Sequence, residues 1–326
     1  MKRMFGLATL TILATTLLPS SARAAKNPVD SLSVSMTPAC PGQTTRVAVL
    51  ATMANGKTRN STKHVLGFSP YDAEAKGAGL IDYDRLSIDA DPVSTFVEPP
   101  FMVVKWRKDP SILGIAPVPL RYDCKFAAHL SGSTGSHGRE GFMGANHGGG
   151  GAHGAHGGDG RDGGAVSVSV SLGNSPYDDS EVLLVSIWAH GEEVRKVVAT
   201  DGGSLAILAR GGAGGSGGRG GVGGPHGDRY EGGSGGDGGD GGDGGRGGTI
   251  RVRVSPDAYD AFQRVVTLDN RGGAGGYGGA GGSAASNADG SFTAVAGRDG
   301  KQGRIGPDGP PPEVVTGRVQ LDWASS

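Results

Sequence analysis

The sequence predicts a mostly β protein in two parts, an N-terminal β-sandwich followed by six extended glycine tracts of polyproline/polyglycine-II type on a β-sheet base. Three observations predict it. Glycine is sparse before Leu130 and dominant after it. Beyond that point glycine falls on a strict period of three in six separate tracts. Between the tracts, short apolar segments alternate with a period of two, the signature of a half-buried strand. The tract at 232–248 reads Gly-Gly-Ser, three times Gly-Gly-Asp, then Gly-Gly-Arg and Gly-Gly, with no apolar side chain. Repeated glycine loses the most backbone entropy in a helix or strand and gives a core nothing to grip. A threefold extended helix rising about 3.1 Å per residue is the ordered alternative, because its glycine edges let neighbouring backbones approach.

The chain opens with Lys2 and Arg3, an apolar run from Met4 to Leu18 and the small-residue pattern Ala22-Arg23-Ala24. This is the grammar of a secretory signal peptide over 1–24, and the apolar run is shorter than the ~20 residues a spanning helix needs. In an exported chain the pair Cys40 and Cys124 reads as one disulfide. A net charge of −1 gives no basic stripe for nucleic acid.

Residues 25–130 form the first domain. Leu32 to Met36, Thr44 to Ala51 ahead of Asn55-Gly56, Phe101 to Trp106, and Pro119 to Phe126 read as strands. Many short strands without helical periodicity indicate an antiparallel sandwich. The run from Pro41 to Val49 resembles the second-strand region of bacterial immunoglobulin-like surface modules. Tyr122-Asp123-Cys124 is similar to the tyrosine two residues before the second cysteine of immunoglobulin folds. The resemblance implies an Ig-like sandwich serving as a spacer or docking platform.

Residues 131–326 form the second domain. Its tracts have glycine at 132, 135, 138, 141 and 144; at 148, 151, 154, 157, 160 and 163; over 211–224, 232–248 and 272–282; and at 297, 300, 303, 306 and 309. Insertions at 165–210, 249–271 and 312–326 carry strand patterns, as in Val166, Val168 and Val170, in Ile250, Val252 and Val254, and in Val319, Leu321 and Trp323. The remaining interruptions, at 146–147, 225–231 and 283–296, are short or polar. Antiparallel succession of the tracts would therefore put every strand-rich insertion at one end and every polar turn at the other. From 132 to 312 the chain resembles polyglycine-II bundle proteins, such as phage tail-tip adhesins and snow-flea antifreeze proteins. That likeness implies stacked tracts with exposed distal loops. A collagen triple helix, on the five Gly-X-Y triplets from Gly297 to Pro311, and disordered linkers are the competing readings.

No enzyme motif stands. Ser216 and Ser234 lie in Gly-Gly-Ser-Gly-Gly, but any Gly-Gly-X repeat yields that match without the strand and helix a nucleophile elbow needs. No cofactor is called for. Calcium on the edge of Asp237, Asp240 and Asp243 would need further carboxylates such as Asp159 or Asp162, since the three lie about 9 Å apart in a threefold helix. The polar turns hold the expected partner-binding residues His147, His226, Arg229, Tyr230, Asn287 and Phe292, with Phe142 and Met143 close by. The sequence thus predicts a secreted or cell-surface, non-catalytic recognition module for a cell-surface or matrix polymer, protein or glycan. A purely structural envelope or matrix component is the alternative, and an ice- or cation-binding protein the second.

Overall fold

The computed structural model describes residues 28–60, 71–82, 84–97, 99–227, 231–291, 293–321 and 323. The signal-peptide segment expected at 1–24 lies outside the described residues. The chain is β-rich, with helix confined to short turns.

In the first part, β1 (Val29–Met36), β2 (Thr44–Met53), β6 (Arg85–Ile88) and β5 (Gly79–Asp82) form one antiparallel sheet in that order, with β3 (Thr58–Asn60) also on β2. A second sheet orders β4 (Tyr71–Lys76), β7 (Phe101–Trp106) and β8 (Asp109–Pro117). Val47, Val49, Leu86, Met102, Val104 and Val118 bury one core between them. β8 crosses β1 so closely that a Cβ on Gly114 would come within 2.9 Å of the Leu32 carbonyl oxygen. The Asn55-Gly56 signal makes the β2–β3 turn, where Gly56 takes φ +77°. Cys40 and Cys124 are disulfide-bonded across 84 residues. The strand expected over Pro119 to Phe126 starts later. Leu120 makes only an isolated bridge to Ala39, and regular pairing begins with β9 (Lys125–His129).

The second part has two further sheets. One is β9-β13-β15, all parallel, with β13 at Ser204–Leu208 and β15 at Val266–Asp269. The other orders β12 (Glu192–Ala199), β11 (Glu181–Ala189), β10 (Ala165–Asn174), β14 (Thr249–Val254) and β16 (Glu313–Thr316), with β10, β14 and β16 parallel. Valines and isoleucines of β10 and β14 point inward against Leu205 and Ile207, while serines and arginines alternate outward. Helix α1 (Tyr259–Val265) adds Ala261, Phe262 and Val265 to this core. The expected strand through Val319, Leu321 and Trp323 is corrected to β16, just upstream. Leu321 is instead buried in a cluster with Tyr122, Val182, Leu184 and Val197. Packing against the far face of β11 and β12 explains that alternation as well as sheet pairing would.

The same cluster joins the two parts. Tyr177 donates its hydroxyl to the Thr95 carbonyl, and burial pushes the Tyr122 and Tyr177 phenols well above their ordinary range. Ala199 N donates to Tyr122 O and Ser204 N to Cys124 O. Arg195 adds an ion pair to Asp91.

Each glycine tract continues a strand. The first, third and fifth follow β9, β13 and β15; the second, fourth and sixth lead into β10, β14 and β16. Neighbours within each set hydrogen-bond in parallel, as in Gly138 N to Ser216 O, Gly217 N to Tyr277 O, Gly157 N to Asp240 O and Gly241 N to Lys301 O, each 2.8 Å. Between the sets the bonds run antiparallel, as in Gly158 N to Ser136 O, Gly218 N to Ala155 O and Gly300 N to Gly279 O. Two three-tract layers thus extend the three parallel strands β9, β13 and β15 of one sheet and the three parallel strands β10, β14 and β16 of the other. In the base, side chains hold facing sheets about 10 Å apart. Where the facing residues are glycine, the layers close until backbone meets backbone. The third and fourth tracts each touch four others and read Gly-Gly-X, whereas the first and sixth touch two and keep one glycine per triplet.

Candidate functional site: the distal turns

Antiparallel succession carries the chain away from the base three times and turns it at the far end. The first turn is tight. His147 and Gly148 both take positive φ, +68° and +82°, Gly149 N donates to Ala145 O, and Gly148 N reaches across to Pro225 O at 3.0 Å. A non-glycine residue in the left-handed region is uncommon, so the turn fixes where His147 leaves the backbone.

The third turn is closed by its own side chains. Asn287 N donates to Ser291 O, and Gly290, at φ +80°, donates to Asn287 O. Asn287 Oδ1 accepts from Gly232 N at 2.9 Å, while its Nδ2 donates to Ser291 Oγ at 3.0 Å and Thr293 Oγ1 at 3.2 Å. Thr293 Oγ1 in turn donates to Glu231 Oε2 at 3.0 Å. Hydrogen bonds from the Ser291 hydroxyl and amide hold the Asp289 carboxyl below the usual carboxylate range. Asn287 therefore closes the turn and caps the fourth tract, a role beyond the partner contact expected of it.

These segments meet around an open depression of about 440 Å³ lined by His147, Glu231, Ser234 and Thr293, among others. His226 is exposed nearby in the chain, next to Pro225, which accepts from the first turn. Phe142 and Met143, at the same end of the first tract, are 84% and 66% exposed. Arg229, Tyr230 and Phe292 lie outside the described residues.

The histidines and aspartates along the tracts have a different task, which the sequence reading missed. At outward-facing triplet positions, side chains of one tract accept hydrogen bonds from backbone N–H groups of non-glycine residues in the adjacent tract. His137 Nδ1 accepts from Ser216 N, His153 Nδ1 from Asp237 N and His156 Nδ1 from Asp240 N. Asp159 and Asp162 accept from Asp243 N and Arg246 N, and Asp237, Asp240 and Asp243 accept from Arg298, Lys301 and Arg304 N, each at 2.7 Å. The available signal was register: acceptors recur at the same triplet position in adjacent tracts. Among the described residues, no group of three or more His, Cys, Asp or Glu side chains is placed to hold a metal ion. Neither Ser216, within the third tract, nor Ser234, at the distal start of the fourth, lies at a strand-to-helix turn. No helix among the described residues is long and apolar enough to cross a membrane.

No family model, no curated protein and no solved structure matches the chain.

Proposed function

We propose that this is an exported, non-catalytic recognition protein. An Ig-like sandwich and a β base carry a six-tract polyglycine-II bundle, whose distal turns bind a cell-surface or matrix polymer, protein or glycan. One observation carries the reading: residues from separate turns, His147, Glu231 and Thr293, converge on one depression at the end remote from the base. The intervening tracts are cross-linked by backbone hydrogen bonds at nearly every triplet. Recognition groups on a stiff support lose less entropy on binding than groups on a free loop. The disulfide suits an oxidising compartment.

The test is binding of the purified mature protein to whole cells, glycan arrays and matrix polymers, beside a variant with His226, Arg229, Tyr230 and Phe292 changed to alanine. Asn287 stays, because its side chain closes the turn. Binding by the parent and loss of at least tenfold in the folded variant supports the reading; equal binding by both takes these four side chains out of the site. The second reading, an inert structural component of an envelope or matrix, draws on the internal engagement of Asn287, Ser291 and Thr293. It predicts binding by neither protein.

A further inference from the structure

The outer face of the second, fourth and sixth tracts is a ruled surface of charge. Register places His153, Asp237 and Arg298 in one row, His156, Asp240 and Lys301 in the next, and Asp159, Asp243 and Arg304 in the third. Three aspartates therefore run down the fourth tract beside three cations on the sixth, each column repeating about every 9 Å at the rise of a threefold extended helix. Asp237 and Asp240 are about half exposed, and Arg298, Lys301 and Arg304 are exposed. Among the described residues, none of these three cations lies within ion-pairing distance of a carboxylate. The second oxygens of Asp237 and Asp240 lie 3.7 and 3.8 Å from His153 and His156.

We propose that this face pairs with the same face of a second copy of the chain. A two-fold axis lying in the plane of the interface, parallel to the tracts and midway between the fourth and sixth, lays each acidic column over the other copy's basic column. It keeps the row order, so Asp237 meets Arg298, Asp240 meets Lys301 and Asp243 meets Arg304 of the second copy, and each pair occurs twice. The match follows from the shared repeat, since both columns sit on tracts held in one register by backbone bonds. A polyanion fits worse, because the aspartate column beside the cations repels it; a polycation meets the converse. Ion pairs of this exposure are individually weak, so the association is reversible and salt-sensitive. The inference rests on the layered tracts proposed above, and not on the distal turns.

Sedimentation equilibrium of the full mature chain at about 20 mM and about 500 mM salt tests it, beside Arg298→Glu/Lys301→Glu/Arg304→Glu and the milder Arg298→Gln/Lys301→Gln/Arg304→Gln. The expected result is a dimer at low salt whose dissociation constant rises at least tenfold at high salt. Both variants should be monomers and keep the parent's circular dichroism. A parent that is monomeric at low salt, or folded variants that dimerise as the parent does, overturns the proposal. Loss of the extended-helix dichroism in the parent itself would instead indict the layered tracts. Oligomers unaffected by salt and by both variants would place any self-association on another surface.

Discussion

Replacing Gly239 by alanine adds one methyl group at the most crowded kind of position in the fourth tract. Its Cβ would stand 2.9 Å from Gly154 O and closer still to Ala155 O, both backbone atoms of the second tract. Neither can swing aside like a side chain. Relief requires the two tracts to separate over the bonds that bracket the site, Gly154 N to Asp237 O and Gly157 N to Asp240 O, each 2.8 Å. Ala155 O also accepts from Gly218 N, so the disturbance reaches the third tract. A buried backbone group left without its partner costs about 1–3 kcal/mol, and two or three such losses give about 3–6 kcal/mol. Against this, alanine stabilises by restricting the unfolded chain by only about 0.4–1 kcal/mol. Gly150 supplies the matched control: its added Cβ would meet nothing nearer than Ser234 O at 3.9 Å, and its φ is not positive. Gly150→Ala should therefore be neutral or stabilising by up to about 1 kcal/mol. Urea unfolding of the two variants followed by circular dichroism reads the difference. Equal midpoints would refute the reasoning, because flexible tracts would treat the two glycines alike.

Asp240→Ala removes the acceptor for the Lys301 amide and should cost about 1 kcal/mol, while Asp240→Asn keeps an oxygen there and should stay within about 0.5 kcal/mol in thermal melts. Asp269 receives hydrogen bonds from Arg271 and Arg210, which hold its carboxyl far below the ordinary range. Because the folded value lies below the unfolded one, its contribution is complete above about pH 4 and is lost as pH falls further toward the folded value. The melting temperature of the parent should drop more steeply than that of Asp269→Asn over that acid range. Replacing both Cys40 and Cys124 by serine releases an 84-residue loop and should lower stability by about 4–5 kcal/mol in guanidinium titrations, with little change in the second part's dichroism.

Much of this arrangement can be read from residue order alone. Alternating Val166, Val168 and Val170 marks β10 because one face of that strand is buried and the other is serine. The two tracts with four neighbours, the third and fourth, read Gly-Gly-X, and the two with only two neighbours, the first and sixth, keep one glycine per triplet; the second and fifth, with three neighbours each, divide between the two patterns. Other features leave weaker marks. Helix α1 is seven residues long, too short for its apolar spacing to outweigh the valines on either side. Val319, Leu321 and Trp323 alternate because one side meets a hydrophobic cluster, which imitates a paired strand. The acceptor role of His153 and Asp237 depends on which tracts are adjacent, and the period of three cannot say that. At the distal turns, Asn287 shows why a polar loop residue is a poor guide to a partner. Its hydrogen bonds close the turn and hold Gly232, and only coordinates distinguish that from a free recognition group.

The central claim is that the six tracts form a single hydrogen-bonded unit rather than mobile loops above a β base. Native-state hydrogen exchange of backbone amides, resolved by residue, tests it most directly. The account predicts strong protection of the Gly218, Gly236, Gly239 and Gly242 amides, whose carbonyl partners lie in neighbouring tracts, and fast exchange at Tyr277, whose amide meets no acceptor among the described residues. Exchange of all five at the rate of an unfolded chain would contradict it.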